Sequence, residues 1–175
     1  MIAASDWVAH AQNLLAIHSD AGSTPPSQVE LRRAVSAAYY GLFHALTFAG
    51  STVFTGGGES LRSQAARAFG HTAMRKVCGA YVRSPLKPFS AGYEHLNVHP
   101  LSPELIVVAR TFELLQENRF IADYDLLAMF DFQDAKRLVN LSEVALMALE
   151  TVRTRPGTTV FLTALLLADR WTRRG

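Results

Sequence analysis

The sequence predicts an all-α domain, and three observations carry that prediction. Apolar residues recur at three- and four-residue spacing through most of the chain. No strict alternation of apolar and polar residues lasts beyond a few positions, so no sheet has a signal. Residues that start and stop helices stand where the helical spacing begins and ends. A chain of 175 residues suits one domain with a core that needs neither disulfides nor metal.

The elements follow in order. Asp6 reads as the N-cap of a first helix, with Val8, Leu14, Leu15 and Ile17 at helical spacing. SDAGSTPPS at 19–27 is a loop by composition, and Ser27 with Glu30 forms a capping-box pattern for a second helix over 28–49. Leu31, Val35, Ala38, Leu42 and Ala45 make one continuous face of that helix, and Tyr39, Phe43 and Leu46 cover the opposite flank. A helix apolar on nearly every side belongs in the middle of a bundle, and Ala34, Ala37, Gly41 and their neighbours let other helices come close. FTGGGES at 54–60 reads as a loop, because three consecutive glycines do not stay helical cheaply.

A third helix is expected from Glu59 to Val82, then a long Pro/Gly-rich connection over 84–103. A fourth helix starts near Ser102 with Pro103 in its first turn and runs to about Leu126. Asp131 opens a fifth, which ends before Pro156-Gly157, and an amphipathic segment over 158–172 closes the chain. The expected architecture is a bundle of four or five antiparallel helices. Residues 1–155 form the bundle, and residues 156–175 are a C-terminal helix and basic tail. That terminal segment, with Val160, Leu162, Leu165, Leu166 and Trp171, docks either on its own bundle or on a second copy.

Composition narrows the function. The hydrophobic share of 49% against 18% charged exceeds what an isolated surface needs and points to apolar area buried against another chain. A lone cysteine, Cys78, makes no internal disulfide and reads as a small buried hydrophobe. MIAASDWVAHAQ lacks the form of a signal peptide, and VFLTALLLA at 160–168 is too short for a membrane span. The expectation is therefore a cytoplasmic protein with no membrane partner. A net charge of +2 is only mildly basic, and the late arginines (Arg153, Arg155, Arg170, Arg173 and Arg174) read either as a solvated tail or as a phosphate-tracking patch.

Two helices put ionisable groups where core is expected. Leu105, Val108, Phe112 and Leu115 continue, at the same spacing, into Arg119, Ala122 and Leu126. Asp123 stands four residues after Arg119, within reach of a charge-assisted contact. On the second helix Arg33, Tyr40 and His44 fall within about 20° of one another. Such a set is either a satisfied polar network that fixes helix register or a cluster that recognises phosphate, whose oxygens match an arginine fork.

RRAVSAAYYGLFHAL at 32–46, followed by LLQENRFIADYD at 114–125, resembles the HEPN superfamily. The similarity is to small bacterial members with an Arg…Ala-Tyr-Tyr-x-x-Phe-His helix and a later Arg-x-x-Ala-Asp-Tyr helix. GHTAMRKVCGAYV at 70–82 resembles their His-led third helix, which makes His71 the counterpart of that histidine. The likeness spans roughly residues 5–152. It implies an up-and-down four-helix core with an additional C-terminal helix here, and packing as a homodimer. It further implies a nucleotide or RNA ligand and a place in toxin–antitoxin or defence systems, with a small nucleotidyltransferase as a possible partner.

Many relatives are metal-independent endoribonucleases with an arginine, a polar residue, three further residues and a histidine. Here Phe120 follows Arg119, and Tyr124 stands where that histidine is expected. Arg67 and His71 are only four apart, and Ala37 replaces an arginine that relatives often carry. The loss of the histidine removes the best acid–base group near neutral pH. The expectation is a non-catalytic binding or regulatory protein, with Arg33, Tyr40, His44, His71, Arg119, Asp123 and Tyr124 as candidate ligand-binding residues. The alternatives are a divergent endoribonuclease toxin using Arg119 with His44 or His71, and a purely structural oligomerisation module. His95 and His99 have helical metal-ligand spacing but sit among loop residues, so neither a metal nor any other cofactor is expected.

Overall fold

In a computed structural model the described residues are 3–16, 24–56, 58–84 and 101–172, with side chains described through residue 167. They form seven helices and no strand: α1 (Ala4–Ala16), α2 (Gln28–Thr55), α3 (Glu59–Ala66), α4 (His71–Arg83), α5 (Pro103–Tyr124), α6 (Phe132–Val152) and α7 (Pro156–Thr172). His95 and His99 lie outside the described residues.

α2 is the central element, packed against α1, α3, α5, α6 and α7. Its side chains explain why. Ala34, Val35, Ala38, Tyr39, Leu42 and Leu46 are fully buried and point in several directions around the axis. Pairings along α2 set the direction of its neighbours. Arg32 reaches Asp125 while Tyr40 meets Arg119, so α5 runs antiparallel to α2. Gln28 bonds Phe130 just before α6, and Ser142 donates to the Ala38 carbonyl at 2.7 Å, so α6 runs parallel to it. Gly41 admits α1 closely: a Cβ there would stand 2.9 Å from Val8 Cγ2 and 3.2 Å from the Ala4 carbonyl.

Helix starts follow the sequence closely. Ser27 and Glu30 complete the capping box, Ser102 caps α5 ahead of Pro103, and the Asp131 carboxylate accepts from Asp134 N at 2.7 Å. Four expectations are corrected. α1 begins at Ala4, so Asp6 is not its N-cap; from the first turn its carboxylate accepts the Ala3 N–H at 3.1 Å. α2 runs six residues past Ala49, to Thr55. Gly50 lies inside the helix and leaves room for the Phe69 ring, which stands where a Cβ would be, and Ser51, Thr52 and Thr55 hydroxyls bond back to helix carbonyls. It ends at Gly56 in the left-handed region (φ 59°).

The helix expected over 59–82 is two helices. Tight turns at Arg67, Ala68 and Phe69 break it, and the break buries Phe69 against α2. The fourth correction concerns Leu126, expected on the core stripe of α5: the helix stops at Tyr124, and Leu126 is exposed. α7 docks on its own chain through Phe161, Leu162, Ala164 and Leu165, against α4 and α2, with the Phe161 ring edge-on to Tyr81. No described helix is long and apolar enough to cross a membrane.

Candidate functional site

The expected polar residues come together where α2, α4 and α5 meet. Helical spacing supplies each contribution: Ser36, Tyr40 and His44 stand four apart on one face of α2, and Arg119 and Asp123 four apart near the end of α5. His71 is the first residue of α4, so the break after α3 is what delivers its ring to α2. There it stacks on Phe43 with centroids 4.1 Å apart, and its Nδ1 makes a short hydrogen bond with the Tyr39 hydroxyl.

Arg119 is the centre of the cluster. Its Nη2 donates to the Tyr40 hydroxyl at 2.8 Å. Its Nε lies 2.7 Å from an Asp123 carboxylate oxygen without aiming its N–H there, so this contact is an ion pair and not an aligned hydrogen bond. The other Asp123 oxygen accepts from Ser36 at 2.6 Å, tying α5 to α2 a second time. The guanidinium also stands 5.5 Å from the Tyr40 ring centroid, 5.4 Å from Tyr124 and 6.0 Å from Tyr39. Burial pulls its pKa down, but the Tyr40 hydrogen bond and the Asp123 charge outweigh that and raise it.

Burial favours the neutral forms of the two histidines and of Tyr39. Burial lowers the pKa of His44, and burial, Arg119 and His44 together lower that of His71. Burial pushes the Tyr39 phenol up, so it keeps its proton. Donation from Tyr39 to His71 Nδ1 leaves the ring proton of His71 on Nε2; the opposite arrangement would strand a buried phenol O–H. Trp7 of α1 closes the group, its ring 5.4 Å from Tyr40 and 5.5 Å from His44.

Six of the seven candidates (Tyr40, His44, His71, Arg119, Asp123 and Tyr124) therefore share one cluster. Arg33 does not join it. It is exposed on the rim of an open depression of about 470 Å³, with Trp7, Tyr40 and Asp123 on the same wall. Arg67 caps α3 and is exposed, and the break before α4 keeps its four-residue spacing to His71 from making one face. Trp7 and Ser36 join the cluster with no role expected from the sequence, and Tyr39 and Phe43, expected only as an apolar flank of α2, join it too. Ser36 had a legible signal, one helical turn before Tyr40; Trp7 had none.

Elsewhere the chemistry is plain. Cys78 is buried, and burial with the Glu113 charge pushes its thiol up, so it is no nucleophile. Arg153 and Arg155 pair with Glu150 and Glu104 at 3.4 and 3.5 Å on the surface. Among the described residues no group of three or more His, Cys, Asp and Glu is placed to hold a metal ion. Chemically, the cluster can offer a partly exposed guanidinium to an anion and aromatic faces to a planar group. No family model, curated protein or solved structure matches the chain.

Proposed function

We propose that this chain is a non-catalytic HEPN-like binding or regulatory protein, a homodimer with an up-and-down four-helix core made of α1, α2, α5 and α6. Its place is a nucleotide- or RNA-related two-component system of the toxin–antitoxin or defence type, with a small nucleotidyltransferase as the partner that the resemblance suggests. The antiparallel and parallel pairings of α2 with α5 and α6 are in keeping with that core. The observation that carries the binding role is the state of Arg119. Its guanidinium faces side-chain groups, namely a phenol, an unaligned carboxylate and three aromatic rings, each of which an incoming phosphate can replace or share.

A second reading, a divergent metal-independent endoribonuclease, draws on one specific observation. His44 and His71 both lie in the Arg119 cluster, close enough for Arg119 and His44 to lower the pKa of His71. Neutral imidazoles beside a cation are general-base material. The non-catalytic reading is preferred because Tyr124 holds the place of the signature histidine and the Nδ1 of His71 is engaged by Tyr39.

One experiment separates them. RNA oligonucleotides and labelled nucleotides are incubated without metal with wild type and with Arg119→Ala, and binding and cleavage are both read. Binding without cleavage, lost in the variant, is the expected result. Cleavage that needs Arg119 would make the protein a ribonuclease, and the absence of both would leave the cluster as part of the fold.

A further inference from the structure

Phe120 and Tyr124 stand one turn apart on the outer side of α5, 59 and 61% exposed. Among the described residues they are the two most exposed aromatic side chains. They also stand against each other, with ring centroids 5.2 Å apart and planes tilted by 46°. Neither serves the core: Ala122, between them in sequence, takes the buried side of the helix. Helix surfaces are covered mainly by Glu, Lys, Gln and Arg, so two large rings side by side call for a cause.

The pair is continuous with the Arg119 cluster. The guanidinium stands 5.4 Å from the Tyr124 centroid, and its side chain keeps 17% of its surface exposed. Each carboxylate nearby has a partner of its own and is not left free to repel an anion. Asp123 is engaged by Arg119 and Ser36, Glu117 faces Arg75 at 3.6 Å, and Asp125 accepts two N–H groups of the turn after α5. Exposed ring faces beside a cation suit a ligand that carries a flat ring and an anion in one small unit. A nucleotide does so: its base stacks on aromatic side chains, and its phosphate matches the arginine fork. A purely anionic ligand would leave the rings unused. An apolar protein segment would have to take the Arg119–Asp123 pair out of water, which is costly.

We propose that Phe120 and Tyr124 are the base-stacking platform of the Arg119 site, and that its ligand is a nucleotide with an unpaired base, free or within a single strand. A base inside a duplex has its faces covered by its neighbours, so a paired strand does not fit this platform. Stacking tolerates every base, so the site selects for the presence of a base and not for its identity. The inference rests on the binding role of Arg119 given above and adds to it the residues that hold the base.

The test measures the affinity of the full chain for adenosine monophosphate, a short single-stranded oligoadenylate, an RNA duplex of the same length, and ribose phosphate, which lacks a base. Phe120→Leu and Tyr124→Leu keep apolar bulk and remove a ring face, while Phe120→Trp enlarges one; both positions are exposed, and circular dichroism confirms that each variant folds. Wild type is expected to bind the two ligands with an unpaired base roughly tenfold more tightly than the duplex or ribose phosphate. Each leucine variant should lose about tenfold for the base-bearing ligands and nothing for ribose phosphate, and Phe120→Trp should bind at least as tightly as wild type. The tighter of the two base-bearing ligands then identifies the source as a free nucleotide or a strand, and either satisfies the proposal. Ligands that need Arg119 but ignore the ring changes, or that bind no better than ribose phosphate, would overturn the platform and leave the Arg119 reading standing. Absence of all binding by wild type would overturn both. Ring changes that alter the sedimentation of the chain without altering these affinities would assign the rings to a protein interface, and so overturn the platform as well.

Discussion

Two arginines join the same pair of helices and are held in opposite ways. Arg32 on α2 spends its guanidinium on three backbone carbonyls at and beyond the end of α5. Those carbonyls have no intrahelical donor, so the arginine finishes the helix and fixes the turn that follows. Arg119 on α5 meets only side chains, and its side chain keeps 17% of its surface exposed. Backbone carbonyls cannot move aside for a ligand, whereas a phenol and a carboxylate can rotate. The first arginine is thus committed to the fold, and the second is free to exchange partners.

Arg32→Met offers the strongest way to break that comparison. It strands three carbonyls and should lower stability by about 3 kcal/mol in urea unfolding. A loss below about 1 kcal/mol would mean that solvent serves those carbonyls equally well. Arg119→Ala should cost roughly 1 kcal/mol or less, because the ion pair is partly exposed, while abolishing nucleotide or RNA binding. A large fall in melting temperature with no ligand for either protein would move Arg119 into the same class as Arg32.

The histidines sharpen the contrast through pH. In the folded chain His44 and His71 are held below the ordinary value of 6.5, chiefly by burial. As pH falls through 6.5 the unfolded chain takes up protons first, so stability declines from there down to the folded pKa values. Above that window both rings are neutral in both states and add no slope. His71→Gln should flatten part of the acid decline in a melting-temperature profile; an unchanged profile would place the titration elsewhere. The smallest expected effect is that of Ser36→Ala, which removes one hydrogen bond to Asp123 and should shift stability by about 1 kcal/mol at most. Ligand affinity is expected to survive that change.

Much of this was legible from local chemistry. Ser27 with Glu30, Ser102 with Pro103, and Asp131 mark helix starts through short-range bonds, which a sequence shows directly. The Arg119–Asp123 pair and the Tyr40–His44 face were visible for the same reason, as single-helix spacings. What escaped depends on contacts distant in sequence. The reason for a glycine at position 50 appears only when Phe69 is packed against it, and the break before His71 buries that same ring. Leu126 continues the α5 stripe on paper, but Arg32, 93 residues before Asp125, has already tied off the helix. Trp7 reaches the cluster only because Gly41 lets α1 close in.

The central position of α2 also sets the order in which the molecule can be made. α2 leaves the ribosome early, yet the partners that cover it come late: Tyr40 waits for Arg119, 79 residues on, and Ala38 for Ser142, 104 residues on. Until then the nascent chain carries a long helix with Tyr39, Leu42 and Leu46 uncovered, shielded on one side by α1. Distant contacts of this kind slow folding and lengthen the interval in which apolar surface is open to other chains. A chain interrupted before α5 would therefore be a target for chaperones and proteases, and its polar cluster would never assemble.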